Sequence, residues 1–158
     1  MQYVKREMSK IRKSENTMRI FLDTSSLFKI YHQEEGSDEL LMFLDSTEIE
    51  EIYISEISLV EFKSIIYRRV RMGEFSEEFG SELLNTFEST SHIYELIELN
   101  REIVEIAKKM FDVYGLRGLK TLDAIQFASA IKVKKEISKF FTHDLRLRTF
   151  FLEEFKEI

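Results

Sequence analysis

The sequence predicts an α/β domain built on a mostly parallel sheet of four or five strands flanked by helices. Three observations carry that expectation. Short apolar runs of strand length alternate with stretches of helical period, in the order β-α-α-β-α-α-β-α-α-β-α. The chain has 158 residues with 44% hydrophobic content, enough for one domain with a real core and too little for two ordinary ones. Two of the apolar runs end in an acidic residue with a helical pattern after it, as in open sheets whose strand ends line a crevice.

The elements follow in order. Residues 1–17 are basic and polar, with Lys5, Arg6, Lys10, Arg12 and Lys13. They are set aside as an extension, an arm, a helix or an alternative translation start, and the domain is expected over 18–158. Met18 to Leu22 is a β-like run ending at Asp23, and Thr24, Ser25 and Ser26 suit a helix start. A helix is expected from Asp38 to Leu44 after Gly36, then a short buried strand, Ile52 to Ile54. The helix from Ser58 to Met72 carries a core stripe of Leu59, Phe62, Ile66 and Val70, with Glu61 on a different face beside Ser64 and Arg68. Ser76 to Phe87 is helical with Glu77 and Glu78 in its first turn. Ile93 to Leu99 reads as a strand, and Asn100 to Tyr114 as a helix closed by Gly115. Thr121 is placed to cap the next helix, which has Asp123 in its first turn and Ala124 and Ala128 on one face for close packing on the sheet. Phe140-Phe141-Thr142-His143-Asp144 repeats the strand-then-acid pattern before a last helix, Leu145 to Phe151.

Asp23, Glu61, Asp123 and Asp144 thus each stand at a strand end or early in a helix. Each also has an ordinary structural role open to it. Ser58 and Glu61 have capping-box spacing, Asp123 suits a helix dipole, Asp144 suits an N-cap and Asp23 suits an Asx turn. Capping does not require all four to face one edge, whereas a metal site does. Hard cations such as Mg²⁺ and Mn²⁺ favour oxygen ligands. Clustered carboxylates repel by about 1 kcal/mol per pair at ~4 Å even in water, so the cluster is expected either to hold metal or to be strained.

In these motifs the chain resembles the PIN-domain ribonucleases, and among them the small toxin-type members of VapC kind. The resemblance runs from Met18 to about Phe151. It rests on Leu22-Asp23-Thr24-Ser25, Ser58-Leu59-Val60-Glu61, Leu122-Asp123-Ala124 and Phe141-Thr142-His143-Asp144-Leu145. It implies an endoribonuclease that needs Mg²⁺ or Mn²⁺, with the four acids as the catalytic cluster and Thr142 as a supporting polar residue. On this reading Asp23, Asp123 and Asp144 hold one metal, Glu61 helps to place a second, and cleavage leaves a 5′-phosphate and a 3′-hydroxyl. It further implies a homodimer restrained by a cognate antitoxin protein. The family's final short strand has a poor counterpart in residues 151–158.

Composition bounds the alternatives. The absence of cysteine excludes disulfides, thiolate metal sites and a Cys nucleophile. No run of membrane-spanning length and no signal peptide is evident, so a cytoplasmic protein with no membrane partner is expected. A net charge of −6 opposes unpatterned binding to RNA. Basic residues at a cleft rim would then have to make the contact, and Lys120 and Arg146 are the candidates beside proposed ligands. Arg68, Arg69, Arg71, Arg148, Lys132, Lys134 and Lys135 are expected mainly on solvated helix faces. A haloacid-dehalogenase-type phosphatase would need a second Asp where Ser25 stands. An HD-type phosphohydrolase would need more histidines around His143-Asp144 than His32 and His92 provide. The remaining alternatives are a non-catalytic PIN-like binding or scaffold module and a DNA-cleaving variant.

Overall fold

A computed structural model of the chain describes residues 17–155. Strands β1 (Met18–Leu22), β2 (Ile49–Ser55), β3 (Glu95–Ile97) and β4 (Lys139–Phe141) pair in parallel in the order β3-β2-β1-β4. The helices are α1 (Thr24–Tyr31), α2 (Ser37–Ser46), α3 (Ile57–Arg71), α4 (Glu77–Thr90), α5 (Arg101–Tyr114), α6 (Thr121–Lys132) and α7 (Leu145–Glu154). The expected element order is therefore the observed one, with a four-stranded parallel sheet.

Alternation along β1 builds two cores. Ile20 and Leu22 join α1 to α4 through Leu27, Phe28, Leu40, Phe62, Ile66 and Phe87. Phe21, facing the other way, joins α5 to α7 through Ile103, Phe127, Phe150 and Phe151. Successive strand side chains point to opposite faces, so one central strand serves both layers. The first two crossovers step outward from β1 to β2 to β3, and the third carries the chain back to the far side of β1. Strand order thus reverses between β1 and β4, and at such a point the loops beyond the carboxyl ends diverge and open a crevice.

Several boundaries differ from the sequence expectation. The third strand is only Glu95–Ile97, because Ser91–Ile93 forms a 3₁₀ turn closed by Tyr94 N–H on the Ser91 carbonyl at 3.2 Å. Gly115 ends α5 in right-handed geometry and leads into a second 3₁₀ turn, so the left-handed glycine is Gly118 at φ 91°. Residues Phe151–Glu154 continue α7, and among the described residues no strand follows it. The proposed extension, apart from Thr17, lies outside the described residues. Among those described, no helix is long and apolar enough to cross a membrane.

Buried Lys29 ties the α1–α2 turn down, through Glu34 at 3.1 Å and the Glu35 carbonyl. Arg69 also holds Glu34, at 2.7 Å, while lying over the Phe28 and Phe75 rings. Arg69 is therefore a packing residue, not a rim charge. Lys132 and Lys134 are likewise engaged, with Glu102 and the Glu154 carbonyl. In the same turn Gly36 has φ 80°, and a Cβ there would lie 2.3 Å from Nε2 of His143 in the β4–α7 loop. His143 thus packs the first helical turn region against the loop that carries Asp144.

Gly36→Ala should lower the melting temperature by several degrees, since left-handed geometry alone costs about 1–2 kcal/mol and each ~1 kcal/mol moves a domain of this size by roughly 2–4 °C. Part of that loss should vanish when His143→Ala is added. Equal losses in both backgrounds would show that the His143 contact is unimportant.

Candidate active site

Asp23 extends the β1–β4 ladder by one step, its N–H donating to the Phe141 carbonyl at 3.1 Å. Its carboxylate caps α1: Oδ1 accepts from Ser26 N–H at 2.8 Å, and the Ser25 hydroxyl donates at 2.7 Å. The Thr142 hydroxyl, at the end of β4, donates to Oδ2 at 2.6 Å. Asp23 is only 5% exposed. Burial pushes its carboxyl pKa above the usual range, and the bonds from Thr142, Ser26 and Ser25 act in the opposite sense.

Thr142 also receives the Asp144 N–H at 3.1 Å. Asp144 in turn caps α7, its Oδ1 accepting from the N–H groups of Arg146 and Leu147 at 2.8 Å each. The structural roles open to Asp23 and Asp144 are thus both filled, at one sheet edge and through one shared threonine.

Glu61 is different. Helix α3 begins at Ile57 with Glu56 as its N-cap, so Ser58 lies inside the helix and the capping box does not form. Glu61 instead accepts two bonds on Oε2, from the Thr24 hydroxyl and from Gln126 Nε2, both at 2.6 Å. Thr24 directly follows Asp23, and Gln126 lies one turn beyond Asp123. Asp123 stands in the first turn of α6, where Lys120 is the N-cap without a side-chain bond. Thr121 is the first helical residue, so the expected threonine cap is absent. The half-buried Asp123 carboxyl is raised first by desolvation, then by the charges of Asp144 and Glu61, against the lowering effect of Lys120 and Arg146. Asp123, Asp144 and Glu61 therefore share one electrostatic neighbourhood, and Thr142 connects it to Asp23.

Of the basic candidates, exposed Lys120 and Arg146 both act on Asp123. Arg146 also donates from Nη1 to the Gly118 carbonyl at 2.7 Å, lying over that glycine. Among the described residues no three His, Asp or Glu side chains form a ready cage for one ion. An all-oxygen set at one edge nevertheless suits Mg²⁺ by donor chemistry, since that ion keeps several waters and takes only one or two carboxylates directly. The elevation at Asp123 is what an added cation would relieve.

Apart from Thr142, the hydroxyl and amide support was not assigned from sequence. Gln126 is 3% exposed and reaches Thr24 at 2.7 Å and Ser58 at 2.9 Å as well as Glu61. The available signal was a glutamine among the alanines and phenylalanines of a buried helix face.

A parallel four-stranded sheet with a strand-order switch and acidic side chains at its edge defines the class as a small α/β domain. The profile of the PIN domain family matches residues 20–150, and the chain belongs to that family. It is 28% identical over 130 residues to the ribonuclease VapC47 of Mycobacterium tuberculosis, covering 81% of this chain and 86% of that protein. Its fold is similar to the crystal structure of M. tuberculosis VapC20, a toxin that cleaves the sarcin-ricin loop. That match has TM-score 0.63 and 18% identity over 82% of this chain and 93% of the other. VapBC2 from Rickettsia felis, crystallised with a DNA fragment from its promoter, has TM-score 0.58 and 17% identity over 84% and 92% of the two chains.

The elevated Asp23 and Asp123 carboxyls predict a pH signature in metal-free protein. Their folded pKa values lie above the unfolded value of about 3.9, so their favourable contribution is complete below that pH and is lost as pH rises through the folded values. Asn at either position removes that loss. In EDTA, Asp23→Asn and Asp123→Asn should melt above wild type at neutral pH, with the gap closing towards pH 4. A gap that is negative and independent of pH would contradict the electrostatic description.

Proposed function

We propose that the chain is a divalent-metal-dependent endoribonuclease and the toxin of a toxin–antitoxin pair. The observation that carries this reading is the coupling of Asp123 to Asp144 and Glu61, beside an Asp23 that Thr142 ties to the same loop. Similarity to a VapC ribonuclease supports it.

In this reading Asp23, Asp123 and Asp144 hold the Mg²⁺ or Mn²⁺, and Glu61 helps to place a second ion. The bound ions supply activation of water, neutralisation of phosphate charge and support for the leaving oxygen. Thr142 keeps Asp23 and the Asp144 loop in register. Lys120 and Arg146 take substrate phosphate, offsetting locally a net charge of −6. RNA is the substrate, and the alternative classes, DNA cleavage and a non-catalytic module, are outcomes of the same assay.

A homodimer and an inhibitory antitoxin belong to the proposal. The exposed Val60 and Tyr67 of α3 and Val104 and Val113 of α5 offer apolar surface for such contacts. The relative from R. felis is a VapBC2 assembly.

The test is cleavage of mixed single-stranded RNA and DNA by purified protein with Mg²⁺ or Mn²⁺, against EDTA. RNA should be cut only with metal, and Asp23→Asn should lose at least ~10²-fold in rate, as for removal of one electrostatic catalytic group. Undiminished cutting by Asp23→Asn and Asp123→Asn would overturn the site, and cutting of DNA alone would overturn the substrate.

A further inference from the structure

Gln126 is a buried polar side chain bonded to three groups at the acidic edge, and nothing in the nuclease reading uses it. Its Nε2 lies 2.6 Å from Glu61 Oε2, 2.7 Å from Thr24 Oγ1 and 2.9 Å from Ser58 Oγ. Those hydroxyls also meet each other at 3.0 Å, and Thr24 donates to Glu61 at 2.6 Å. One amide from α6 and one hydroxyl from α1 thus converge on a single carboxylate oxygen, and Ser58 of α3 bonds both of those donors.

The proton inventory fixes the direction of this network. An ionised carboxylate only accepts, a hydroxyl has one proton and the amide nitrogen has two. Thr24 spends its proton on Glu61, and the amide gives one to Glu61 and one to a hydroxyl oxygen. Turning the amide over would set its carbonyl oxygen against the carboxylate at 2.6 Å, which two acceptors cannot tolerate. The cost of the orientation adopted is visible: Gln126 Oε1 is buried and has no hydrogen-bond partner among the described residues. Leaving a buried acceptor unpaired is costly, so its retention points to something gained at Glu61.

We propose that Gln126 is a positioning residue that anchors Glu61 Oε2, with Thr24, so that Oε1 is held available to a divalent cation. This rests on the nuclease reading, and deepens it by naming what orients the fourth acid. Glu61 Oε1 accepts no hydrogen bond among the described residues. Outer partners that fix a ligating carboxylate typically change metal affinity by 10–100-fold when removed.

The test is Mn²⁺ binding to the full chain, read by the electron paramagnetic resonance signal of free Mn²⁺ and independent of cleavage. Gln126→Met keeps the length of the side chain without its donors and should weaken binding by about 10–100-fold, with a melting temperature in EDTA near wild type. In a Glu61→Gln background the same change should add less than about threefold, because Gln126 acts through Glu61. Should Gln126→Met fail to fold, Thr24→Val removes the other donor in an isosteric form and should show the same loss and the same non-additivity. Unchanged affinity in the folded variants, or a full further loss in the Glu61→Gln background, overturns the inference. Wild type that binds no Mn²⁺ overturns the nuclease reading and this inference together, whereas tight binding by both wild type and Gln126→Met overturns this inference alone.

Discussion

The structure depends on holding carboxylates of like charge at one sheet edge. Desolvation raises Asp23 and Asp123, and Asp144 and Glu61 raise Asp123 further. The four acids are held by three devices. Asp23 and Asp144 spend oxygens on the first N–H groups of α1 and α7, which would otherwise lack partners. Glu61 sits among hydroxyl and amide donors, and Asp123 has the cations Lys120 and Arg146 nearby. The repulsion is distributed, so the edge folds while staying electrostatically unsaturated.

That distribution requires close approach of elements distant in sequence, and small residues allow it. Ala124, Ala128 and Ala130 of α6 are fully buried, and Ser129 donates to Ser55 at the end of β2 at 2.8 Å. Bulkier residues there would lift α6 from the sheet and carry Asp123 and Gln126 away from Glu61. The aromatic layers hold the outer helices: Phe62 stacks on Phe87 at 3.9 Å and Phe140 on Phe151 at 3.7 Å. The reversal of strand order between β1 and β4 then sets Asp23 beside Thr142 as neighbours in register.

Much of this was legible in the sequence because strand and helix periods are local signals. The run Met18 to Leu22 and the stripe Phe62 and Ile66 needed only apolar spacing, and strand-then-acid placed Asp23 and Asp144 correctly. The illegible parts are those that tertiary contact decides. Ser58 and Glu61 satisfy a capping-box spacing, yet the helix starts one residue earlier and Ser58 turns into a buried network with Thr24 and Gln126. Gln126 carried no motif, since its partners lie 102, 68 and 65 residues away. Arg69, in a run of arginines, reads as a solvated helix-face charge, but Glu34 and two aromatic rings claim it. The third strand is shorter than expected because Ile93 and Tyr94 are apolar enough for a strand, yet Ile93 belongs to the 3₁₀ turn that Tyr94 closes, and pairing begins only after it.

The proposed function requires this edge to bind divalent metal. Crystals grown with Mn²⁺ and measured at its absorption edge give the most direct test. Anomalous difference density among Asp23, Asp123 and Asp144, lost in crystals of Asp123→Asn, is the result the account predicts. Fully occupied manganese elsewhere with none at this edge would contradict it.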